Sequence, residues 1–196
     1  MLLYANDLDL IKSRGIDKIM GIDEAGRGAL AGPVVIAAVI LDYRDPILGI
    51  NDSKLISAKK REFLAAEIRN RAIAYQIVSL DAQVIDEINI RAASLKGFEL
   101  VYDALKDQAE YALIDGRDIP SNIKGEAVIK GDQKHACISA ASILAKVHRD
   151  ALMTKMDLAY PEYGFAIHKG YGTRRHYEAL ATWGACPTHR QTFRLY

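Results

Sequence analysis

Cysteine is scarce in this 196-residue chain, and its scarcity narrows the class of protein. Cys137 and Cys186 are the only two cysteines, and they form neither a Cys-X-X-Cys spacing nor the dense pattern of a small secreted domain held by disulfides. We therefore expect both thiols to be reduced. Cysteine and histidine together do not form a typical zinc-ligand set, so we also expect no zinc site.

Long apolar runs are also missing. No stretch approaches the roughly 20 apolar residues that a membrane-spanning helix needs, and the N-terminus has no basic segment followed by an apolar stretch and a cleavage site. Internal repeats and proline- or serine-rich linkers are lacking as well. We expect a cytoplasmic protein that does not contact membranes and folds as one domain over residues 1–196.

A clear excess of either charge is likewise absent, because 26 lysines and arginines face 25 acidic residues and the formal net charge is +1. The overall charge therefore gives no argument for a polyanionic partner. Residues 165–196 differ, since they contain one acidic residue, Glu178, and five fixed positive charges: Lys169, Arg174, Arg175, Arg190 and Arg194. A solvated tail would look similar, but this basic C-terminal segment also suits substrate binding to a nucleic acid.

Apolar periodicity predicts an α/β domain. Runs of apolar and β-branched residues predict strands over 18–23, 34–41, 74–80, 111–115 and 127–130, with the first two joined as a hairpin. Apolar spacings of three and four residues predict helices over 57–72, 91–106, 133–159 and 173–183. Early strands followed by alternating helices and strands favour a mixed central sheet flanked by helices, with a helical C-terminal segment.

Four carboxylates fall at the ends of predicted strands, where a charged group is unfavourable for packing. Asp23 and Glu24 end the first strand, Asp115 ends the fourth, and Asp132 follows the fifth. Because strand ends in an open α/β sheet form the usual ligand crevice, these acids could gather in one site. Clustered carboxylates raise one another's pKa values unless a cation lies between them, and oxygen ligands suit Mg²⁺ or Mn²⁺.

Each acid also has a purely structural interpretation. Asp115 precedes a glycine and is typical of a turn, and Asp132 is a candidate N-cap for the long helix. Asp23 and Glu24 are harder to explain in this way, because residues 25–28 that follow them favour neither a strand nor a helix interior. A short glycine turn exposes backbone N–H groups and permits close approach to a phosphate or sugar.

The sequence Gly-Ile-Asp-Glu-Ala-Gly-Arg-Gly at residues 21–28 resembles the signature of the type 2 ribonucleases H, and the resemblance covers nearly the whole chain. Further motifs match in the family's order: Asn51-Asp52-Ser53-Lys54, Asp86-Glu87-Ile88-Asn89-Ile90, Leu113-Ile114-Asp115-Gly116, Lys130-Gly131-Asp132, residues 139–147 and His168-Lys169-Gly170-Tyr171-Gly172-Thr173. One departure lies at Leu55 and Ile56, where the family usually carries a second basic residue and then leucine. We expect it to weaken or shift one backbone contact.

The resemblance implies a ribonuclease H-like fold and an endonuclease. Such an enzyme hydrolyses the phosphodiester 5′ of a ribonucleotide embedded in DNA, and also the RNA strand of RNA/DNA hybrids. Asp23, Glu24, Asp115 and Asp132 match the family's four active-site acids, which implies that they are both catalytic residues and ligands of two Mg²⁺ or Mn²⁺ ions. In the family's mechanism one ion activates the attacking water and the other stabilises the leaving 3′ oxygen, giving 3′-hydroxyl and 5′-phosphate ends.

Substrate contacts are implied by the same resemblance. The backbone of Gly26, Arg27 and Gly28 is expected to read the ribose 2′-hydroxyl, and Tyr171 is expected to pack against the deoxyribose on the 3′ side of a single ribonucleotide. Without the resemblance, Tyr171 would be interpreted as a simple turn aromatic. Phosphate contacts are expected from basic residues, of which only the first two lie in matched motifs: Lys54, Lys169, Lys146, Arg174 and Arg175.

Three competing interpretations remain at this point. The sister type 3 ribonucleases H carry an additional N-terminal substrate-binding domain, which we do not expect because only 22 residues precede Asp23. A catalytically inactive nucleic-acid-binding module is disfavoured because all four acids are in place. Another nuclease or recombinase of the same superfold is disfavoured by the combination of the Gly-Arg-Gly sequence with Tyr171.

The sequence also gives expectations for the histidines and for the binding partners of the protein. His135, His148 and His176 lie on predicted helices, and we expect each to be a surface or core residue rather than a metal ligand. We expect a monomer that binds RNA/DNA hybrids and DNA containing single ribonucleotides. The C-terminal residues show no clear sliding-clamp motif, because Gln191 is not followed by the expected aliphatic and paired aromatic residues.

Overall fold

A computed structural model describes residues 2–51 and 56–196 of the protein. The predicted phosphate contact Lys54 and the sequence departure at Leu55 lie outside these described residues. Both cysteines are free and buried, as expected. Within the described ranges, no helix has both the length and the apolar character needed to cross a membrane.

The centre of the fold is a mixed sheet, as predicted. In the described part of the chain it has five strands in the order β3-β2-β1-β4-β5. The strands are β1 (Ile19–Ala25), β2 (Val34–Ile40), β3 (Ala74–Leu80), β4 (Tyr111–Asp115) and β5 (Gly125–Val128). The predicted hairpin of β1 and β2 is confirmed, and β3 pairs antiparallel with β2. On the other side of β1, β4 and β5 add as parallel strands.

Helices cover both faces of this sheet. The long helix α5 (Ala136–Ala159) packs against β1 and β2 on one face, together with α1 (Leu2–Arg14) and α2 (Ala58–Arg71). On the opposite face, α3 (Ala82–Ile88) and α4 (Ile90–Leu105) cover the sheet. Because β2 is buried on both faces, its seven residues are all apolar rather than alternating.

A third apolar cluster lies beyond the sheet, where the C-terminal segment packs on α5. It contains α6 (Phe165–His168), α7 (Arg174–Trp183) and the loop after β1, and its centre includes Leu30, Met153 and Leu180. The predicted caps of α2 and α7 are present: Ser57 accepts a hydrogen bond from the Lys60 N–H, and Gly184 ends α7 with a positive φ of 70°.

Two element boundaries differ from the prediction near the acids. The fifth strand lies at Gly125–Val128 rather than 127–130, and the long helix begins at Ala136 rather than 133. Between them, Lys130 adopts a left-handed conformation (φ 56°) and Gly131–Gln133 forms a 3₁₀ turn. The interpretation of Asp132 as the N-cap of the long helix is therefore wrong, because His135 occupies that position.

The prediction missed three helices: α1, α3 and α6. Helix α1 carries no single apolar stripe, and one of its two buried residues is the charged Asp7. This carboxylate accepts hydrogen bonds from the Tyr43 hydroxyl (2.8 Å) and the Cys137 N–H (3.0 Å), and it lies 2.8 Å from Nδ1 of His135. Helix α1 is therefore anchored by polar contacts to the start of α5, a signal that apolar periodicity cannot give.

Candidate active site

The sheet brings three of the four predicted acids to one edge. Strands β1 and β4 are parallel neighbours in which Ile22 pairs with Ile114, so Asp23 and Asp115 follow at adjacent positions. In-register residues of neighbouring strands point to the same face. Glu24 comes next on β1, and all three acids line a cleft of about 360 Å³ at the carboxyl end of these strands.

Asp132 approaches the same place from the 3₁₀ turn. The N–H of the preceding Gly131 donates a 2.6 Å hydrogen bond to Oδ1 of Asp115, which ties this turn to the end of β4. Asp132 is only 3% exposed. Its negative charge contributes to raising the pKa of Asp23. The structure therefore brings Asp23, Glu24 and Asp115 together in the cleft, and it places Asp132 nearby on the 3₁₀ turn but not among the residues that line the cleft.

The environment of Asp23 opposes its ionisation. Burial is the first cause that raises its pKa well above the usual value, and the charge of Asp115 is the second. Hydrogen bonds from the Ser142 side chain and from the Glu24 N–H (2.7 Å) act in the opposite direction. The net result is a cluster of like charges that a bound cation would relieve.

The donor chemistry of the cluster fits a hard divalent cation. All of its ligand atoms are carboxylate oxygens, and Oε2 of Glu24 is buried without a hydrogen-bond partner among the described residues. The other oxygen of Glu24 accepts a hydrogen bond from Arg27 Nη1 at 3.1 Å. No group of three or more His, Cys, Asp or Glu side chains in residues 2–51 and 56–196 is already arranged as a metal-ligand set. The acid cluster therefore fits a divalent cation in its charge and in the type of its donor atoms.

The Gly-Arg-Gly loop forms the second wall of the cleft. Gly26 has a φ of 93°, and a Cβ there would collide with the Arg149 guanidinium, so both conformation and space require glycine. At Gly28 a Cβ would meet no described atom within 4 Å. The backbone of Gly28 therefore faces open space, where a ligand could approach it closely.

Two buried arginines hold this loop in place. Arg190 donates to the carbonyls of Gly26 (2.7 Å), Arg27 (2.8 Å) and Gly32 (2.9 and 3.1 Å). Arg149 donates to the carbonyls of Pro33, Lys169 and Ala31. Burial, followed by the positive charge of Arg149, lowers the pKa of Arg190 to about 9.

The position of Arg190 corrects the sequence interpretation. It was counted among the positive charges of the basic C-terminal segment, but its side chain is fully buried and its hydrogen bonds go to backbone carbonyls. The C-terminal segment is thus less basic at its surface than its sequence indicates.

Tyr171 lines the same cleft as the acids. The residue is 37% exposed, and its ring centroid lies 5.2 Å from the Arg149 guanidinium carbon, within cation–π range. The cleft is lined by acids, loop residues, Tyr171 and two cations, Arg61 and Lys146. The Tyr171 ring is therefore presented to whatever occupies the cleft.

The predicted phosphate contacts separate into two groups. Lys146 lines the cleft, where its ammonium group lies 2.7 Å from Asp150 Oδ1. Lys169 instead lines an adjoining groove between α2 and α5, and its ammonium group donates to Thr154 Oγ1 at 2.9 Å. Arg174 and Arg175 are exposed on α7, away from the cleft-lining residues.

Sequence reasoning missed three residues that shape the site: Arg61, Arg149 and Ser142. Arg61 lines both the cleft and the adjoining groove, which makes it the link between them. A signal for Arg149 exists in the sequence, because this residue falls four positions after Ala145 on the apolar stripe of α5. A charged residue on a buried stripe needs a full set of hydrogen-bond partners.

Comparisons with known proteins identify the family and the fold of the chain. The family model for ribonuclease HII matches residues 20–196. A ribonuclease HII from Albidiferax ferrireducens is 50% identical over 176 residues, which cover 89% of this chain and 85% of the relative. The chain resembles the structure of the PCNA:RNase HII complex from Archaeoglobus fulgidus with a TM-score of 0.79 at 27% identity, covering 92% of this chain and 96% of that one. The Mn²⁺ complex of Bst-RNase HIII shares the fold, with a TM-score of 0.72 at 18% identity over 91% of this chain and 67% of that one.

Proposed function

Because the chain belongs to the ribonuclease HII family, an RNA/DNA-hybrid endoribonuclease family, we propose that it also incises DNA on the 5′ side of a single embedded ribonucleotide. The predicted ribonuclease H-like fold is confirmed by the same comparisons. One observation carries the proposal: three of the acids (Asp23, Glu24 and Asp115), the Gly26–Gly28 loop and Tyr171 line a single cleft. In this proposal the reacting phosphate would lie against the acids and the sugar beside it would lie against the loop.

The three acids of this cleft and the neighbouring Asp132 are the proposed catalytic residues. Asp23, Glu24, Asp115 and Asp132 would hold the divalent ions, since they supply only oxygen ligands around a buried, like-charged centre. Two Mg²⁺ or Mn²⁺ ions bound there would supply Lewis acidity to the scissile phosphate and to the attacking water. Water adds to phosphorus, the bond from phosphorus to O3′ breaks, and the fragments carry a 3′-hydroxyl and a 5′-phosphate.

Selectivity for RNA is proposed to come from the loop and the tyrosine. The 2′-hydroxyl is the local group that distinguishes ribose from deoxyribose, and the open backbone at Gly28 lets a sugar approach. Arg27 is held by its ion pair with Glu24, which couples the loop to the acid cluster. Tyr171 is proposed to pack against the next sugar, where a deoxyribose fits and marks the RNA–DNA junction.

The proposed function is tested with three labelled duplexes: DNA with one ribonucleotide, all DNA, and a continuous RNA/DNA hybrid. With Mg²⁺ or Mn²⁺ we expect a single cut 5′ of the ribonucleotide, cleavage of the hybrid and none of the all-DNA duplex. A matched 2′-O-methyl nucleotide at the same position should block the cut, because it cannot donate a hydrogen bond. Cleavage of the hybrid without incision at the single ribonucleotide would contradict the proposal and leave the family activity intact.

Substitution of Tyr171 tests the junction contact. Tyr171→Ala should lower kcat/KM for the single-ribonucleotide duplex by about tenfold, since a buried aromatic contact is worth roughly 1–2 kcal/mol. Tyr171→Phe keeps the ring and is the matched control, so it should retain most of that activity. An equal loss on the single-ribonucleotide duplex and on the continuous hybrid would show that Tyr171 does not read the junction.

A further inference from the structure

Three buried histidines lie behind Tyr171 and take no part in the proposed chemistry. They are His168, His176 and His189, with exposures of 7%, 0% and 1%. The rings of His168 and His176 stack with their centroids 4.4 Å apart, and Phe165 contacts both edge-on. Packing in this apolar cluster gives each ring one defined orientation.

Backbone partners fix the tautomer of His189. Its Nδ1 lies 3.0 Å from the Cys186 backbone nitrogen, and a backbone N–H can only donate. A neutral His189 therefore carries its proton on Nε2. The Cys186 carbonyl is also 3.3 Å from Nδ1, but it already accepts the backbone N–H of His189 at 2.9 Å.

His176 accepts a hydrogen bond from the Nε2–H of His189 and donates another through its own Nδ1–H. Its Nε2 lies 3.0 Å from Nε2 of His189, and its Nδ1 lies 3.0 Å from the carbonyl oxygen of Tyr171. Since a carbonyl can only accept, Nδ1 of His176 carries the proton and Nε2 is the acceptor. The hydrogen bonds thus run in one direction, from the Cys186 N–H through His189 and His176 to Tyr171.

Burial of the histidines preserves this series of hydrogen bonds at neutral pH. It is the first cause that lowers the pKa of His176 to about 4, and it also lowers the pKa of His189. A protonated His176 would turn an N–H towards the N–H of His189, so the link requires the neutral ring.

This series of hydrogen bonds ends at the backbone carbonyl of Tyr171, the residue that is proposed to recognise the RNA–DNA junction. The adjacent Gly170 has a φ of 79°, donates its N–H to Nδ1 of His168 (3.2 Å) and accepts from the Leu30 N–H (2.8 Å). The Tyr171 N–H donates to the His168 backbone carbonyl (3.0 Å), and the Tyr171 carbonyl faces Nδ1 of His176. The Tyr171 carbonyl also accepts the Thr173 N–H at 2.8 Å, so His176 adds a side-chain donor that helps to hold the backbone position from which the ring projects.

We propose that His176, oriented by His189, is a positioning residue for substrate selection, because it fixes the Tyr171 backbone and thereby the ring at the RNA–DNA junction. This inference rests on the proposed function of Tyr171. It assigns His176 and His189 no contact with the substrate and no proton transfer during hydrolysis.

Two substitutions of His176 separate the contacts of its two nitrogens. In His176→Asn the side-chain amide nitrogen takes the place of Nδ1 and can still donate to the Tyr171 carbonyl. In His176→Gln the amide takes the place of Nε2, so it can still meet His189 but does not reach Tyr171. Both variants lose the imidazole ring and its stacking on His168, and they differ from each other by one methylene group.

The readout is the ratio of kcat/KM on the single-ribonucleotide duplex to kcat/KM on the continuous hybrid. We expect His176→Gln to lower this ratio about five- to tenfold, the range of one lost hydrogen bond, and His176→Asn to stay within about twofold of wild type. The control is His148→Gln, because His148 is a partly buried histidine on α5 that takes no part in this series of hydrogen bonds. Equal ratios in the Asn and Gln variants would overturn the proposal and leave a packing role.

Tautomers provide a readout that does not need activity. At neutral pH, nitrogen NMR shifts should place the proton of His176 on Nδ1 and that of His189 on Nε2. The reverse tautomer at His176 would overturn the proposal whatever the cleavage data show. If Tyr171→Ala leaves the substrate ratio unchanged while the tautomers are as expected, the junction reading fails and the hydrogen-bond chain is retained as a structural element only.

Discussion

Asp23→Asn should abolish cleavage while making the metal-free protein more stable. Loss of one ligand oxygen charge is expected to lower kcat at least about 10³-fold, equivalent to roughly 4 kcal/mol of transition-state stabilisation. In the absence of metal the same change removes a buried charge beside Asp115 and Asp132, so the melting temperature should rise by about 2–4 °C for each kcal/mol recovered. Calorimetry and cleavage assays measure the two effects.

The pH dependence follows from the raised pKa of Asp23. A carboxyl whose pKa is higher in the folded than in the unfolded state stabilises the fold below its unfolded value and loses that contribution as pH rises through its folded value. The metal-free wild type should therefore gain stability as pH falls from neutral, and Asp23→Asn should lack this component.

The response to metal ions and a control substitution at the surface complete the test of Asp23. Mg²⁺ or Mn²⁺ should raise the melting temperature of the wild type more than that of Asp23→Asn. Asp103→Asn, an exposed carboxylate on α4 paired with Lys106, is the matched control and should change neither activity nor metal response. A full metal-induced shift in Asp23→Asn would remove Asp23 from the set of ligands.

Arg190→Ala should be the most destabilising arginine substitution in the C-terminal segment. The buried carbonyls of Gly26, Arg27 and Gly32 would lose their guanidinium donor, which is expected to cost about 3 kcal/mol of unfolding free energy. For a chain of this size that corresponds to a melting temperature about 6–12 °C lower. Cleavage should fall with it, because the Gly-Arg-Gly loop would no longer be held in place.

Arg194→Ala is the matched control four residues further on. Arg194 is exposed, and its Nε contacts the Tyr196 carbonyl at 3.3 Å. Its removal should change stability by less than about 0.5 kcal/mol and affect only the salt dependence of substrate binding. Similar melting temperatures for Arg190→Ala and Arg194→Ala would refute the structural role assigned to Arg190.

The sheet was predictable because its strands obey local rules. The apolar run of β2 and the acids that end β1 and β4 are visible in the sequence, and the convergence of parallel strand ends then places Asp23 beside Asp115. The resemblance to a known family supplied the proposed roles of Asp132 and Tyr171, which spacing alone did not distinguish from a cap and a turn.

The residues that hold the site in place could not be predicted from the sequence in the same way. Arg190 and Arg194 look alike in the sequence, and only the loop that returns from β1 decides that one is buried. Helix α1 was missed because it docks through Asp7, whose partners Tyr43, His135 and Cys137 lie far away in the chain. Such long-range polar contacts leave no periodic signal.

The clamp of Arg190 on the Gly26 carbonyl also joins two residues that are 164 positions apart. During synthesis the acids and the sheet residues are made before Arg190, so the recognition loop cannot take its final shape until Arg190 has been made. The proposed cutting machinery and the proposed selectivity are therefore separated in time. A chain that stopped short of Arg190 would contain its acids and the loop, but it would lack the clamp that holds the loop proposed to restrict cleavage to ribonucleotides.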